Sequence, residues 1–445
     1  MRKAFLPLLA LLVSACSTTE DTAAPPNELT DFEPGAEVRE VWSADTGWGG
    51  TEKWVRLAPF ADGGMVYAAN YDGDVSAWAL DGGKRAWRTD LDTELTAGVG
   101  GDEDTLYVGT AEGEVVALNR DDGEERWRED VGGELLAPPA GGAGRVIVRT
   151  VDGRLIALSA DDGGREWVFT SDVPSLSLRG NGAPLRVPGG ILVGLDDGQL
   201  AALSESNGQA LWQTAIAEPT GRSPVERMVD IDGAIGLGRN VAYAATYQGE
   251  IAQVEPQRGN VQWSREMSSY AGLGVDRNRV YVSTSESHVV ALGQQNGTTS
   301  WRQEKLAHRR LTAPVPVPGT PFLALGDYDG YVHILTRADG RIVARERIAW
   351  DGIMADPLPV AEGRIAVQTQ GDDLAILEIS EPEATETAVT FPPTGFAVVV
   401  SCGVVVFSRR AAERAEGTEK FDDRAFDCRS ALAREPPLAA IPRGL

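Results

Sequence analysis

Leu106-Tyr107-Val108-Gly109, then Glu112-Gly113, then Val115-Val116-Ala117-Leu118, then Asp122-Gly123, and finally Trp127 set out a pattern that this chain repeats. The copy before it reads Val66-Tyr67-Ala68-Ala69, Asp72-Gly73, Val75-Ser76-Ala77-Trp78, Asp81-Gly82 and Trp87. The copy after it reads Val146-Ile147-Val148, Asp152-Gly153, Leu155-Ile156-Ala157-Leu158, Asp162-Gly163 and Trp167. The short apolar runs suit strands buried between packed sheets. The acid-glycine pairs supply the positive φ of tight hairpins. One such four-stranded unit cannot bury its faces alone, so the units must stack around an axis. The expected fold is an all-β propeller.

Further copies begin at Ile191, Val241, Val280 and Phe322, and a weaker eighth joins Arg364-Ile365-Ala366-Val367 to Leu374-Ala375-Ile376-Leu377. Closing tryptophans at 42, 87, 127, 167, 212, 263 and 301 recur with a blade period of about 40 to 50 residues. The seventh copy has Ala344 at that position, and the eighth lacks a closing strand of its own. Val38-Arg39-Glu40-Val41-Trp42, in turn, is a tryptophan strand with no blade before it. Letting it complete the last sheet gives eight four-stranded antiparallel blades, a ring closed by an N-terminal strand. Seven blades is the other count the pattern allows.

Around the expected propeller (37–378) lie three other segments. Met1-Arg2-Lys3, the apolar Ala4–Val13 and Val13-Ser14-Ala15-Cys16 read as a lipoprotein signal (1–16) ending at a lipobox, with Cys16 the acylated residue. Residues 17–36, rich in Thr, Pro, Glu and Asp, read as a flexible tether. Residues 379–445 fit no repeat and include an apolar run, Phe396–Phe407, too short for a membrane span of about 20 residues. The formal charge is -25, which argues against nucleic acid and against electrostatic binding to anionic lipid. Acyl chains must then provide attachment, and stable anchoring takes more than one. Cys402 and Cys428 are the remaining cysteines; a disulfide between them is permitted outside the cytoplasm, and the sequence leaves that pairing open.

Little points to catalysis. His288, His308 and His333 fall in different repeats without ligand spacing, and no Cys-x-x-Cys, His-Glu-x-x-His or Gly-x-Ser-x-Gly pattern occurs. Asp327-Tyr328-Asp329-Gly330 occupies the hairpin position of the other repeats and reads as turn chemistry. No metal ligand and no cofactor is expected.

The repeat resembles that of the pyrroloquinoline-quinone dehydrogenases, but those enzymes carry a vicinal cysteine pair beside the quinone, and this chain has no adjacent cysteines. Lipobox, acidic tether and repeat array together resemble the BamB family, lipoproteins of the outer-membrane β-barrel assembly machinery. The stretches that carry the resemblance are Pro174-Ser175-Leu176-Ser177-Leu178-Arg179-Gly180-Asn181-Gly182-Ala183-Pro184, Glu226-Arg227-Met228-Val229-Asp230-Ile231-Asp232 and Leu306-Ala307-His308-Arg309-Arg310-Leu311-Thr312-Ala313-Pro314. It implies a non-catalytic scaffold on the periplasmic face of the outer membrane. Its implied partner is the BamA-like barrel-inserting subunit, gripped at its POTRA domains, with unfolded outer-membrane proteins as further candidates. By the same resemblance Leu176, Leu178 and Arg179 form the contact, with Asp230 and Asp232 alongside. A different reading of the residues makes Leu176 and Leu178 an inner strand with Arg179 turned to solvent. A general periplasmic scaffold binding extended strands by edge pairing, or a subunit of another envelope complex, also fits the propeller.

Overall fold

The computed structural model describes residues 24–47, 53–180, 182–371 and 373–382, with the backbone of two further strands, Ala397–Ser401 and Val404–Ser408. Cys16, Cys402 and Cys428 lie outside the described residues. The chain divides into two units, Met1–Pro382 and Glu383–Leu445. In the second, the two strands pair antiparallel with Ala397 opposite Ser408, so the apolar run expected there is largely strand.

In the first unit, eight four-stranded antiparallel sheets follow one another. The second sheet, for example, sets Leu95–Gly101, Thr105–Thr110, Glu114–Asn119 and Glu125–Asp130 side by side. Its two middle strands are the apolar runs of the repeat and are buried along almost their whole length. Their side chains pack against the neighbouring sheets: Tyr107, Val115 and Ala117 share a core with Val146, Val148 and Ile156 of the next blade. First strands of most neighbouring sheets touch, and Leu358–Ala361 of the last sheet touches Phe60–Asp62 of the first. The ring has eight blades.

The tryptophans explain how blades stay in register around the rim. Each indole N–H donates to a backbone carbonyl in the third-to-fourth-strand turn of the following blade. Trp87 reaches Arg120 at 3.1 Å, Trp127 reaches Ala160 at 2.9 Å, and Trp301 reaches Arg337 at 2.9 Å. The turn glycine beneath each ring leaves room for it. At Gly163 (φ +76°) a Cβ would lie 2.7 Å from Trp127 Cε3, closer than carbon atoms can pack. The Asp-Gly of the sequence pattern is therefore both a hairpin and a socket.

Ring closure is the expected one. Glu37–Asp45 pairs antiparallel with Asp373–Ser380, placing Trp42 opposite Ile376, and Trp42 docks on Leu80 of the first blade at 2.7 Å. This also accounts for Ala344. In the eighth blade the third and fourth strands come from opposite ends of the chain, so no turn with its carbonyl and glycine awaits a tryptophan from the seventh. Residues ahead of the closing strand fill the space. The amide of Gly35 donates to Val343 at 2.9 Å, and Ala36 joins the core that holds Val343 and Ala344.

Part of the segment read as tether lies against the ring. Asn27 donates its amide to Ala307 at 3.0 Å, and its carbonyl accepts from Arg309 at 3.1 Å. Leu29 and Phe32 pack on the core of the sixth and seventh blades, and Arg345 lies over the Phe32 ring. Beneath them, Asp327 is fully buried and accepts from Arg309 Nε at 2.7 Å, His333 at 2.8 Å, and the amides of Asp329 and Tyr331. Burial pushes the Asp327 carboxyl up, but His333 and Arg309 outweigh it and hold it below the usual range.

Candidate functional site at the axial mouth

Connections from the fourth strand of each sheet to the first of the next emerge at one end of the ring, together with the hairpins between second and third strands. Two of the longest of these connections carry the expected site residues. Residues 171–184 join Arg165–Thr170 to Leu185–Val187, and residues 216–235 join Ala210–Ala215 to Gly236–Leu237. Leu176, Leu178 and Arg179 lie on the first, so they are loop residues and not an inner strand. Asp230 and Asp232 lie on the second. The structure brings the two connections together. The amide of Leu178 donates to Asp230 Oδ1 at 3.1 Å, and Gly180 passes so close to Asp232 that a Cβ would lie 3.1 Å from its carboxyl carbon.

Their surroundings differ. Leu176 is 41% exposed, Leu178 is half-buried and Arg179 is exposed. Arg179 pairs with Glu134 at 2.5 Å. A solvent-exposed pair of this kind is worth about 0–1 kcal/mol, so Arg179 can leave Glu134 for another carboxylate at little cost. Asp230 and Asp232, by contrast, are 0% and 3% exposed. They sit under the surface.

Leu178, Arg179, Gly180 and Asp232 also line a cavity of about 310 Å³, together with residues from four other blade junctions and the Tyr247 hairpin. Trp54 and Arg56, Tyr270 and Ala271, Arg310 to Thr312, and Ile353, Met354 and Asp356 complete it. That distribution places it at the mouth of the ring axis. Trp54, which the sequence pattern did not single out, is 55% exposed with Arg310 stacked on its ring at 4.8 Å. Val173 and Val225 add exposed apolar surface on the two long connections.

The floor of this mouth is acidic. Burial pushes Asp230 up to about 6 and, with the neighbouring Asp230 charge, pushes Asp232 well above the usual carboxylate range. Asp356 is raised by burial although it accepts the Ala313 amide at 2.8 Å. Asp230 Oδ2 and both oxygens of Asp232 have no hydrogen-bond partner. Asp196, from the second-to-third-strand hairpin of the fourth blade, approaches from the side and is bonded to the buried Arg149 at 2.5 Å. The sequence reading assigned no role to Asp196 or Arg149, because Leu195-Asp196-Asp197-Gly198 reads as one more hairpin.

Comparison with known proteins adds an independent line. A family model described as outer membrane protein assembly factor BamB matches residues 71–303 and 285–385. The outer membrane protein assembly factor BamB of Pseudomonas aeruginosa is 44% identical over 359 residues, 81% of this chain and 94% of the relative. The crystal structure of BamB from Moraxella catarrhalis superposes with a TM-score of 0.70 at 28% identity, covering 77% of this chain and all of that one. The quinohemoprotein alcohol dehydrogenase of Comamonas testosteroni shares the fold alone, with a TM-score of 0.62 at 14% identity, over 82% of this chain and 78% of the dehydrogenase.

Proposed function

This chain belongs to the BamB family of outer membrane protein assembly factors, and we propose that it works there as a lipid-anchored scaffold that docks its loop face on the POTRA domains of the barrel-inserting subunit. It is an assembly factor and not an enzyme. The observation that carries the docking surface is the pairing of exposed Leu176 with an arginine whose present partner is cheaply exchanged, on a loop fixed from below by Asp230. Compact apolar-plus-arginine anchors of this sort concentrate binding energy. Leu178, half-buried at the mouth, completes the anchor, while Asp230 holds its backbone amide. Cys16 carries the acyl chains that hold the protein on the periplasmic face of the outer membrane.

Binding of the purified partner's periplasmic domains to Leu176→Ala and Arg179→Ala variants tests the surface. Each variant weakens the complex and leaves the melting temperature nearly unchanged. A collapse in melting temperature that parallels lost binding would make these residues structural instead. For the anchor, Cys16→Ser shifts the protein out of the outer-membrane fraction, and unchanged fractionation refutes acylation at that residue.

A further inference from the structure

Asp196, Asp230 and Asp232 are all buried, and one carboxylate oxygen from each lies within 4.8 Å of the other two. Opposite ligands of a single calcium ion stand about 4.6–5.2 Å apart, twice the usual calcium–oxygen distance. Three oxygens at this spacing can therefore share one ion.

Proximity alone would not make a site, but the polar accounting does not close without a ligand. Asp232, 3% exposed, has neither oxygen bonded, and Asp230 Oδ2 is also without a partner. Arg149, 1% exposed, spends Nη2 on Asp196, and its Nε and Nη1 have no acceptor. Buried polar groups left this way cost about 1–3 kcal/mol each, more when charged. A hydrated cation satisfies both sides: the ion takes the carboxylate oxygens, and its waters accept from the guanidinium. Three carboxylates and one guanidinium also leave two negative charges, which a divalent ion neutralises.

The repeat itself is broken here. The pairing that aligns Ala69, Gly109 and Ala245 at the end of the second strand puts Arg149 in the third blade. At the next position Asn70, Thr110 and Thr246 bond the amides of their own hairpins. In the fourth blade that residue is Leu195, followed by Asp196 where other blades have Tyr71, Ala111 or Tyr247. A large buried cation, a lost hairpin cap and an added carboxylate thus coincide at one blade junction.

We propose that Asp196, Asp230 and Asp232 form a binding site for one calcium ion, with Arg149 orienting Asp196. Because Asp230 also holds the amide of Leu178, the ion ties the two long connections of the mouth together. The proposal does not depend on which partner docks above.

Full-length protein purified in detergent, stripped with EDTA and desalted, is titrated with calcium chloride by calorimetry and melted with and without the ion. The expected result is one calcium per chain and a melting temperature that rises with calcium. In Asp196→Asn and Asp232→Asn, each first checked for folding in EDTA, affinity falls at least tenfold and the rise is lost. No calcium uptake by the wild-type chain, or an equal thermal shift in both variants, overturns the site; the first leaves protons to neutralise Asp232, and the second means diffuse binding to an acidic surface.

Discussion

Asp327 and Asp232 are both carboxylates sealed inside the same ring, yet their neighbourhoods are opposite. Asp327 accepts two side-chain and two backbone bonds, and its carboxyl stays below the usual range. Asp232 accepts none, and its carboxyl is pushed far above it. The first belongs to a finished joint that locks the N-terminal segment to the seventh blade. The second lies under loops that face outward. In this pair, the saturated carboxylate sits where the ring is held together and the unsatisfied one where the proposed ion would bind.

The largest effect should come from breaking the finished joint. Asp327→Ala leaves His333 buried without its carboxylate and Arg309 with only Asp329 and the Asn27 carbonyl, and should cost about 3–5 kcal/mol in urea unfolding. Asp232→Ala, the same truncation, should cost far less; equal losses would erase the distinction. The joint can also be opened from the other side. Deleting residues 17–36 removes the Asn27 and Thr30 carbonyls that Arg309 and Arg345 reach and uncovers the apolar floor under Leu29 and Phe32. That deletion should cost on the order of 3 kcal/mol by the worth of a few hydrogen bonds and two apolar side chains, whereas deleting 17–23 should be silent in the melt.

On the receiving side, Leu176→Ala and Arg179→Ala should each weaken partner binding by about 1–3 kcal/mol while moving stability by less than about 0.5 kcal/mol. The smallest effect is a pH signature. Asp230 holds its proton to about pH 6 in the folded chain, above its ordinary 3.8. Folding therefore binds protons in this window, and the ionised buried carboxylate is a liability fully present above about pH 6. In chelator, Asp230→Asn should melt above wild type at pH 7, and the gap should close as pH falls to 4. Asp327, lowered in the fold, works with the opposite sign: its stabilisation is present above the ordinary carboxylate range and is lost as pH drops below it. A gap for Asp230→Asn that widens toward acid would reverse the assignment.

The blades were legible because their signals are local. An acid-glycine hairpin and a closing tryptophan each declare themselves within a few residues, and the lone Val38–Trp42 strand announced the closure. The joint at Asp327 was not legible. Asn27 to Ala36 has the composition of a linker, and its order comes from Arg309, 282 positions away. The acidic mouth was hidden for a related reason. Asp196 sits in a stretch indistinguishable from a turn, Arg149 in a stretch indistinguishable from a strand, and only the register of neighbouring blades brings them together. Resemblance placed Asp230 and Asp232 alongside the leucines, and only the fold shows that both lie below the surface.

The pairing of Glu37–Asp45 with Asp373–Ser380 also has a temporal meaning. Arg39 and its partner Glu378 stand 339 positions apart, and bringing such distant ends together costs about 5 kcal/mol of loop-closure entropy beyond a constant. In a chain that crosses a membrane from its N-terminus, the strand that seals the ring is delivered first and must wait for the one it pairs with. Until then Glu37–Asp45 is an unpaired strand and the last sheet lacks its outer member, open edges that invite misassociation. Closure is thus a completion test: a chain cut short anywhere before Asp373 cannot pass it, and its unsealed edges leave it open to proteolysis.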